Sequence, residues 1–384
     1  MSLNVPCFRI AVLPGDGIGT EIMTACTQVL SVLTEGNAGF TLDLAFLEAG
    51  ADYFVRTGED ISQEAFNTAR TADAILLGAM GLPQVRLPDG TEVAPHLAMR
   101  TEFGLFAGVR PVKQYPNLPP VLFDSRGKKV DLVIVRESTE GLFAHRSEGR
   151  VIDDRVALDT LEITRPVCER LFDFSFNLAR DRKSRGLPGT VTCVDKANVF
   201  RSMAFFRQIF DERARLFPDI SVRYQYVDAM ALNLVRQPWE YDVLVMENMF
   251  GDILSDLGAG VVGGMGMAPC GEIGLEHGLF QPAHGSAPDI AGSGRANPTA
   301  MLVSAAMMLH WLGQRHANAH CQLAGERLDA AVTAGYAEGD FLPYEFGGTS
   351  GTMEVADRLC RRLAINGESV WERRVKMNLG ERCS

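Results

Sequence analysis

The sequence predicts an α/β protein with a largely parallel sheet, and three observations support this prediction. Short apolar runs alternate with longer amphipathic stretches along the chain, which is typical of strands alternating with helices. The chain has 384 residues, too many for one ordinary core, so we expect two domains. Apolar residues make up 46% of the chain and charged residues 22%, which indicates a globular protein rather than a disordered one.

The apolar runs predict the individual elements. We expect strands at residues 8–13, 41–47, 74–77, 130–135, 191–194, 221–227 and 243–246. We expect helices at residues 20–33, 62–69, 155–179, 199–210, 299–315, 326–334 and 352–364. The sequence has no internal repeat and no obvious linker, so a domain division would not be a simple cut in the middle.

A glycine-rich loop at residues 14–19 separates the first strand from the first helix. Such a loop could cradle phosphate at the helix N-terminus. Its glycines are spaced G-x-G-x-G, however, and no acidic residue closes the second strand about 20 residues on, as the dinucleotide fingerprint requires. The sequence therefore argues against a Rossmann fold, and a tight turn without a ligand explains the loop equally well.

Charge and cysteine usage exclude several classes of partner. The chain has 37 basic and 48 acidic residues, and its net charge of -11 disfavours nucleic acid and anionic membranes. No apolar run reaches the roughly 18 residues that would span a bilayer, and no signal-like segment opens the sequence, so we expect a cytoplasmic protein. The eight cysteines form no C-x-x-C pair, which fits a reducing compartment and argues against a zinc site.

The stretch at 241–256 carries the first chemical signal. It begins as a buried parallel strand and continues as a helix in which Asp252 and Asp256 lie four residues apart. Residues with this spacing share one helix face, where two carboxylates repel each other unless a cation lies between them. Oxygen ligands favour a hard ion such as Mg²⁺ or Mn²⁺. A solvated acidic helix face is the alternative that the spacing alone leaves open.

Charged residues also follow the carboxyl ends of several predicted strands, where ligands bind in open α/β sheets. These residues could meet in one cleft, although surface salt bridges would explain any one of them. The arginines could grip carboxylates in bidentate geometry, the aspartates could hold a metal ion, and the lysine could move a proton if its pKa is lowered. The set comprises Arg100, Arg110, Arg136, Lys196, Asp228, Asp252 and Asp256.

Eight short motifs are highly specific in their order and spacing. They are LPGDGIG at 13–19, LGAMG at 77–81, VRP at 109–111, RESTEG at 136–141, DKANV at 195–199, NMFGDILSD at 248–256, HGSAPDIAG at 284–292 and ANP at 296–298. Through these motifs the chain resembles, essentially end to end, the isocitrate/isopropylmalate dehydrogenase family of metal-dependent β-decarboxylating dehydrogenases.

The resemblance implies an isopropylmalate dehydrogenase-like fold of two α/β domains with a central cleft. Residues 1–105 and 263–384 would form the domain on the cofactor side. Residues 106–262 would form an inserted domain that carries the metal and substrate residues and the dimer interface. The resemblance also implies a homodimer whose active sites take Lys196 and Asp228 from the partner subunit.

The implied reaction is the NAD-dependent oxidation of a (2R)-malate derivative, with Mg²⁺ or Mn²⁺ as the metal ion. Asp228, Asp252 and Asp256 would hold the metal, which makes the substrate hydroxyl more acidic, and Lys196 would belong to the base relay. Loss of CO₂ would follow the hydride transfer. In most of this family a tyrosine two residues after the glycine equivalent to Gly141 then donates a proton, but Phe143 stands here. The decarboxylation step therefore lacks its usual proton donor.

The resemblance places a further group of residues at the cofactor. Aspartate at position 289 would accept a hydrogen bond from the adenosine ribose and repel the extra phosphate of NADP, so we expect NAD. His284 and Asn297 match positions that contact the adenosine half. The full set is His284, Gly285, Ser286, Ala287, Asp289, Ile290, Asn297 and Gly78.

The residues one turn before Arg100 would meet the substituent on the malate C3. Isopropylmalate enzymes have leucines there and isocitrate enzymes have serine and asparagine, whereas this chain has Val93, His96 and Leu97. Val199 agrees with an apolar substituent, and His96 would better suit a hydroxyl or a carboxylate. We favour a 3-isopropylmalate-type substrate, with D-malate, tartrate or an isocitrate-type substrate as alternatives.

A non-catalytic regulatory subunit is an alternative of another class. Phe143 could mark a chain that has kept the fold but lost catalysis. Lys196 and the three aspartates count against this alternative, because a regulatory chain has no need of a complete metal set.

Overall fold

The computed structural model describes residues 5–35, 38–124 and 126–365. These residues alternate between strands and helices, and the predicted α/β class is confirmed. The described strands are β1 (Cys7–Gly15), β2 (Thr41–Phe46), β3 (Ala74–Ala79), β4 (Ala107–Lys113), β5 (Asp131–Glu137), β6 (Arg150–Ile152), β7 (Val156–Leu158), β8 (Thr190–Asp195), β9 (Ser221–Tyr226), β10 (Val243–Met246), β11 (Pro269–Ile273) and β12 (Gly278–Pro282). The described α-helices are α1 (Gly19–Thr34), α2 (Ala51–Thr57), α3 (Gln63–Thr71), α4 (Pro95–Glu102), α5 (Arg165–Ser184), α6 (Arg201–Ala214), α7 (Val227–Arg236), α8 (Asn248–Val262), α9 (Thr299–Arg315), α10 (Ala319–Glu338) and α11 (Thr352–Ile365).

The described residues form two compact units. The first contains the described parts of 1–93, 115–117 and 285–384, and the second contains those of 94–114 and 118–284. The chain therefore begins in the first unit, builds the second and returns. The expected division into 1–105 with 263–384 and 106–262 stays a prediction.

In the first unit, β1 lies between β2 and β3 and is parallel to both. Its apolar run from Ile10 to Leu13 is fully buried, as expected for a strand covered on both faces. Helix α1 packs on β3, α9 and α11, and α9 packs along α10. The strand ends and helix starts of this unit position its loops, including the glycine-rich loop at residues 14–19.

In the second unit the strand order is β12-β11-β4-β5-β10-β8-β9. The half from β5 to β9 is parallel, whereas β12, β11, β4 and β5 pair antiparallel. The sheet of this unit is therefore mixed, and the antiparallel half comes from strands β4, β11 and β12, which the apolar runs did not predict. Arg110 on β4 and Arg136 on β5 lie on neighbouring strands as a result.

The helix predicted at 155–179 begins ten residues later, at Arg165, and this part of the prediction is wrong. Residues 150–158 instead form the hairpin of β6 and β7. Asp153 and Asp154 both have positive φ, 51° and 54°, which is the backbone of a tight two-residue hairpin turn. Pro166 lies in the first turn of α5, where its missing N–H leaves no hydrogen bond broken.

Helix α10 begins at Ala319, earlier than the predicted 326. The side chain of Asn318 accepts a hydrogen bond from the Cys321 N–H at 2.9 Å and so caps the helix. Gly325 lies inside the helix, and a Cβ there would be 2.6 Å from the Ala306 carbonyl oxygen of α9. The glycine that weakens the helical pattern is therefore what lets α9 and α10 approach closely.

Within the described residues, no helix is both long and apolar enough to cross a membrane. The seven cysteines of the same residues are free thiols, and Cys383 lies outside them.

Candidate active site

Helix α8 brings carboxylates to the ends of β4 and β5. Glu247 caps the helix by accepting hydrogen bonds from the N–H groups of Met249 at 3.0 Å and Phe250 at 2.8 Å. A Cβ at Gly251 would lie 2.6 Å from Cβ of Arg136. Only a residue without a side chain therefore allows the first turns of α8 to lie against β5, one residue before Asp252.

Arg136 on β5 is buried, and each of its three guanidinium nitrogens contacts this helix. Its Nε and Nη2 donate to Oδ1 of Asn248 at 2.9 and 2.7 Å, and its Nη1 is paired with the Asp252 carboxylate. Burial, together with the charges of Arg110 and Arg100, lowers the pKa of Arg136 to about 10. The guanidinium is still charged at neutral pH.

Arg100 on α4 and Arg110 on β4 meet a carboxylate that the motifs did not indicate, Glu272 of β11. Nη2 of Arg100 lies 2.8 Å from Oε1 of Glu272, and Nη2 of Arg110 lies 3.8 Å from the same oxygen. Nη1 of Arg110 donates to Oγ of Ser255 at 2.7 Å. Burial disfavours the ionised form of Glu272, but Arg100 and then Arg110 outweigh it and lower its pKa to about 2.

Three buried nitrogens of this cluster have no hydrogen-bond partner among the described residues: Nε of Arg100, Nε of Arg110 and Nδ1 of His96. A buried polar group left unpaired costs about 1–3 kcal/mol, so these are atoms that a bound polar ligand would satisfy. Burial, and then the charge of Arg100, lowers the pKa of His96 to about 3. His96 is therefore neutral and can either accept or donate a hydrogen bond.

Asp252 and Asp256 lie on one face of α8, half-buried and exposed respectively. Partial burial and the charge of Asp252 raise the pKa of Asp256 against the opposing effect of Arg110. Two neighbouring carboxylates of this kind suit a hard cation. No group of three or more potential metal-ligating side chains occurs in the described part of the chain, so the pair needs further ligands from water, substrate or another subunit.

Lys196, just after β8, pairs with Asp228 in the first turn of α7. The Lys196 Nζ donates to Oδ1 of Asp228 at 2.6 Å, and this hydrogen bond lowers the pKa of Asp228. Across residues 5–35, 38–124 and 126–365, no ion pair or hydrogen bond joins this pair to Asp252 or Asp256. The structure thus divides the expected residues of the second unit into an arginine–aspartate group and a Lys196–Asp228 pair.

The residues expected at the substrate substituent lie in different surroundings. The Arg136 guanidinium lies 5.1 Å from the centroid of the Phe143 ring, a cation–π contact. Leu97 on α4 is half-buried, Val93 is buried, and Val199 is 60% exposed. Phe143 and His96 are therefore the members of this group that the structure places beside the arginine cluster.

The expected cofactor residues of the first unit surround the glycine loop. The Ser286 carbonyl accepts a hydrogen bond from the Ile18 N–H at 2.8 Å, and its hydroxyl donates to the Gly81 carbonyl. A Cβ at Gly78 would lie 2.0 Å from the Pro14 carbonyl oxygen. The end of β3, which carries Gly78, and the loop that carries Ser286 are thus packed directly on residues 14–19.

The remaining cofactor candidates differ in exposure. Asp289 is exposed, so its carboxylate is open to a ligand. Asn297 is buried and its Nδ2 donates to Glu345 at 2.8 Å. Ala287 has a φ of +37°, and Ile290 donates its N–H to the Ala287 carbonyl at 3.1 Å. His284 is half-buried and Gly285 is exposed, with open space where a Cβ would stand.

Asp16 organises these loops, a role that the sequence analysis missed. Its buried carboxylate accepts hydrogen bonds from the N–H groups of Ala51 at 2.8 Å, Asp52 at 2.9 Å and Gly81 at 2.8 Å. A lone acid between two glycines was the available signal. The sequence analysis also missed Glu272. The available signal was an acid in an apolar strand, because a buried charge must be paired.

Comparison with known proteins identifies the class. The family model described as isocitrate/isopropylmalate dehydrogenase matches residues 9–359. The 3-isopropylmalate/3-methylmalate dehydrogenase of Methanocaldococcus jannaschii is 40% identical over 356 residues, which cover 92% of this chain and 98% of the relative. The 3-isopropylmalate dehydrogenase of Thermotoga maritima is 36% identical and covers 94% of this chain and 100% of its own.

Solved structures similar to this chain belong to the same class of enzyme. Isocitrate dehydrogenase from Methylococcus capsulatus has a TM-score of 0.80 at 32% identity and covers 93% of this chain and 99% of its own. A β-decarboxylating dehydrogenase from Thermococcus kodakarensis has a TM-score of 0.75 at 35% identity and covers 95% and 99%. The predicted isopropylmalate dehydrogenase-like fold is confirmed.

The chain belongs to the isocitrate/isopropylmalate dehydrogenase family. It is a hydroxy acid dehydrogenase of the β-decarboxylating class, so the alternative of a regulatory subunit is not retained. Enzymes of this family generally use a divalent metal ion and act on small dicarboxylates.

Proposed function

We propose that this enzyme oxidises and decarboxylates a (2R)-malate derivative of the 3-isopropylmalate type. The observation that carries the proposal is the convergence of Arg100, Arg110 and Arg136 beside Asp252. Buried guanidiniums donate charge-assisted hydrogen bonds to carboxylates, and two of the three, Arg100 and Arg110, have an Nε with no partner among the described residues. Relatives named for 3-isopropylmalate support the apolar substituent. D-malate, tartrate and isocitrate-type acids remain the alternatives.

Asp252 and Asp256 would hold Mg²⁺ or Mn²⁺, together with Asp228 of the partner subunit. Such an ion supplies a Lewis acid for the substrate hydroxyl. Arg136, already paired with Asp252, limits how that carboxylate can turn. Lys196 and Asp228 form a donor–acceptor pair at 2.6 Å, a geometry that suits relay of the hydroxyl proton.

A homodimer would bring that pair to the active site of the partner. Several apolar side chains of the second unit are exposed, including Ile253 directly beside Asp252 (61%) and Leu232 and Val235 on α7. The β6–β7 hairpin exposes Val151 and Val156 as well. These exposed apolar groups support the proposal of a surface that another chain would cover.

The cofactor proposal depends on Asp289. Its exposed carboxylate would accept hydrogen bonds from a ribose diol and repel a 2′-phosphate, which favours NAD over NADP. Gly78, His284, Gly285, Ser286, Ala287, Ile290 and Asn297 would line the same site. The free thiols agree with a cytoplasmic enzyme.

A panel of substrates tests the proposal. 3-Isopropylmalate, 3-methylmalate, D-malate, tartrate and isocitrate are each supplied with NAD and Mn²⁺, and NADH and CO₂ are measured separately. We expect the highest kcat/KM for 3-isopropylmalate, and loss of activity with NADP. If a hydroxylated or tricarboxylic acid is preferred by tenfold or more, the assigned substituent is wrong.

A further inference from the structure

Glu272 is the one carboxylate buried inside the arginine cluster on the described strands. It is fully buried on β11, directly opposite Gly108 of β4 in the strand register. A Cβ at Gly108 would lie 2.9 Å from Oε2 of Glu272, so the absence of a side chain there makes the space for this carboxylate. The site is built for an acid at position 272.

The carboxylate changes how much charge the cluster offers to a ligand. Three guanidiniums, those of Arg100, Arg110 and Arg136, face two carboxylates, those of Glu272 and Asp252. One positive charge is left over. Without Glu272, two would be left over, which is enough to grip a second substrate carboxylate.

Arg100 is the guanidinium that Glu272 occupies. Its Nη2 is committed to Oε1 of Glu272 at 2.8 Å, while its Nε has no partner among the described residues. Four residues earlier on α4, Nδ1 of the neutral His96 is likewise unpartnered within the described part of the chain. The neighbourhood of Arg100 therefore offers single hydrogen bonds rather than a free bidentate fork.

We propose that Glu272 is a specificity-determining residue, whose buried carboxylate occupies Arg100 and restricts the enzyme to substrates with no third carboxylate. This inference rests on the proposed function and narrows its substrate class: the C3 substituent is uncharged, and tricarboxylic acids such as isocitrate are rejected. The rejection is electrostatic, because a third carboxylate would meet Glu272 at close range without a free cation.

Two acids that cannot be oxidised separate binding from turnover. Glutarate has two carboxylates and tricarballylate has three, and neither has a hydroxyl. Their dissociation constants are measured by calorimetry on the full chain with Mn²⁺ present, for wild type, Glu272→Gln and Glu276→Gln. Glu276 is exposed in the loop between β11 and β12, so its variant removes the same charge outside the cluster.

Wild type is expected to bind glutarate more tightly than tricarballylate. Glu272→Gln should improve tricarballylate binding relative to glutarate by about tenfold or more, since a like charge close to a ligand costs at least that much. Glu276→Gln should leave the ratio at its wild-type value. An unchanged ratio in a folded Glu272→Gln protein overturns the proposal.

If Glu272→Gln does not fold, the ratio of the two dissociation constants in wild type tests the proposal. Tricarballylate binding as tight as glutarate binding in wild type overturns the proposal by itself. If no malate derivative is oxidised in the substrate panel, the proposed function fails, whereas the binding ratio still reports on Glu272.

Discussion

Phe143 lacks the proton-donating group that the proposed reaction would use at its position. Its ring lies under the Arg136 guanidinium, next to the groups that would bind a substrate carboxylate, yet it has no hydroxyl to donate. His145 follows two residues later, and its ring nitrogens contact Glu148 at 2.9 Å and Glu162 at 3.1 Å. Those hydrogen bonds raise the pKa of His145, which makes it a candidate proton donor alongside water.

The substitution Phe143→Tyr should speed decarboxylation relative to hydride transfer. A positioned general acid typically contributes on the order of 100- to 10,000-fold, and the metal, arginine and base groups of the hydride step are unchanged. Single-turnover measurements of NADH and CO₂ separate the two halves. One CO₂ per NADH in wild type, with no faster decarboxylation in the tyrosine variant, would show that another donor already serves.

His96 makes the stability of the protein depend on pH. Its pKa is about 3 in the folded protein and about 6.5 in an unfolded chain, so between these values only the unfolded chain takes up the proton. The free energy of unfolding should therefore fall as the pH falls from 6.5 toward 3. Near pH 5 the change in the free energy of unfolding with pH should be smaller in His96→Gln than in wild type, by up to about 1.4 kcal/mol per pH unit.

Urea unfolding of both proteins at several pH values between 4.5 and 7.5 measures this slope. His320→Gln is a suitable control, since it removes a histidine of the first unit, outside the arginine cluster. Parallel pH profiles for wild type and His96→Gln would mean that His96 titrates normally in the folded protein.

At the scale of elements, helix α8 depends on its glycines in opposite ways. Gly251 lies against Arg136, and a Cβ at this glycine would be only 2.6 Å from the arginine side chain. Gly260 is exposed, and a Cβ there would meet nothing within 4 Å. Replacing each glycine by alanine therefore separates the effect of close packing, at Gly251, from the effect of helix propensity, at Gly260.

Gly251→Ala should destabilise the protein by about 1–3 kcal/mol, because the new methyl group pushes α8 away from β5. Gly260→Ala should be neutral or stabilising by up to about 1 kcal/mol through helix propensity alone. Chemical denaturation gives both values. Equal effects of the two substitutions would contradict the close packing of α8 on Arg136.

The sequence predicted elements well where one signal dominated. The apolar runs of β1, β3, β5, β8 and β10 were found because a buried parallel strand is apolar on both faces. Strands β11 and β12 were missed because glycine, proline and Glu272 interrupt their pattern. Residues 155–158, the second half of the hairpin, were predicted as helix because the apolar side chains there are exposed and carry no strand periodicity toward a core.

The candidate site was predictable only in part, for a related reason. Arg110 and Arg136 stand in motifs, Arg100 follows the residues expected at the substrate substituent, and the structure brings the three arginines together. Glu272 could not be assigned to them from the sequence, since its pairing depends on which strand lies beside β4. Pairing between distant strands is a property of the sheet and not of the local sequence.

Assembly of two chains into a homodimer is part of the proposed function. Lys196 and Asp228 pair with each other and contact neither Asp252 nor Asp256 within the described residues. Each active site would then combine groups from both subunits of a homodimer.

Mixing two inactive variants tests this requirement. Lys196→Ala and Asp252→Asn chains should each be inactive alone, and exchange of subunits should restore part of the activity, because one of the two sites in a hybrid dimer is intact. Activity is measured after subunit exchange has been verified with differently tagged chains. No recovery would indicate sites confined to single chains.

We propose metal-dependent oxidation of a 3-isopropylmalate-type acid at the arginine–aspartate group, and NADH formation with and without metal tests this proposal. NADH formation from 3-isopropylmalate and NAD is followed for wild type and Asp252→Asn, each with Mn²⁺ and with excess EDTA. We predict rapid NADH formation by wild type with Mn²⁺ and at least a hundredfold loss, on the order expected for a removed catalytic group, in the other three cases. Near-wild-type rates for Asp252→Asn in EDTA, or no NADH from wild type with Mn²⁺, would contradict it.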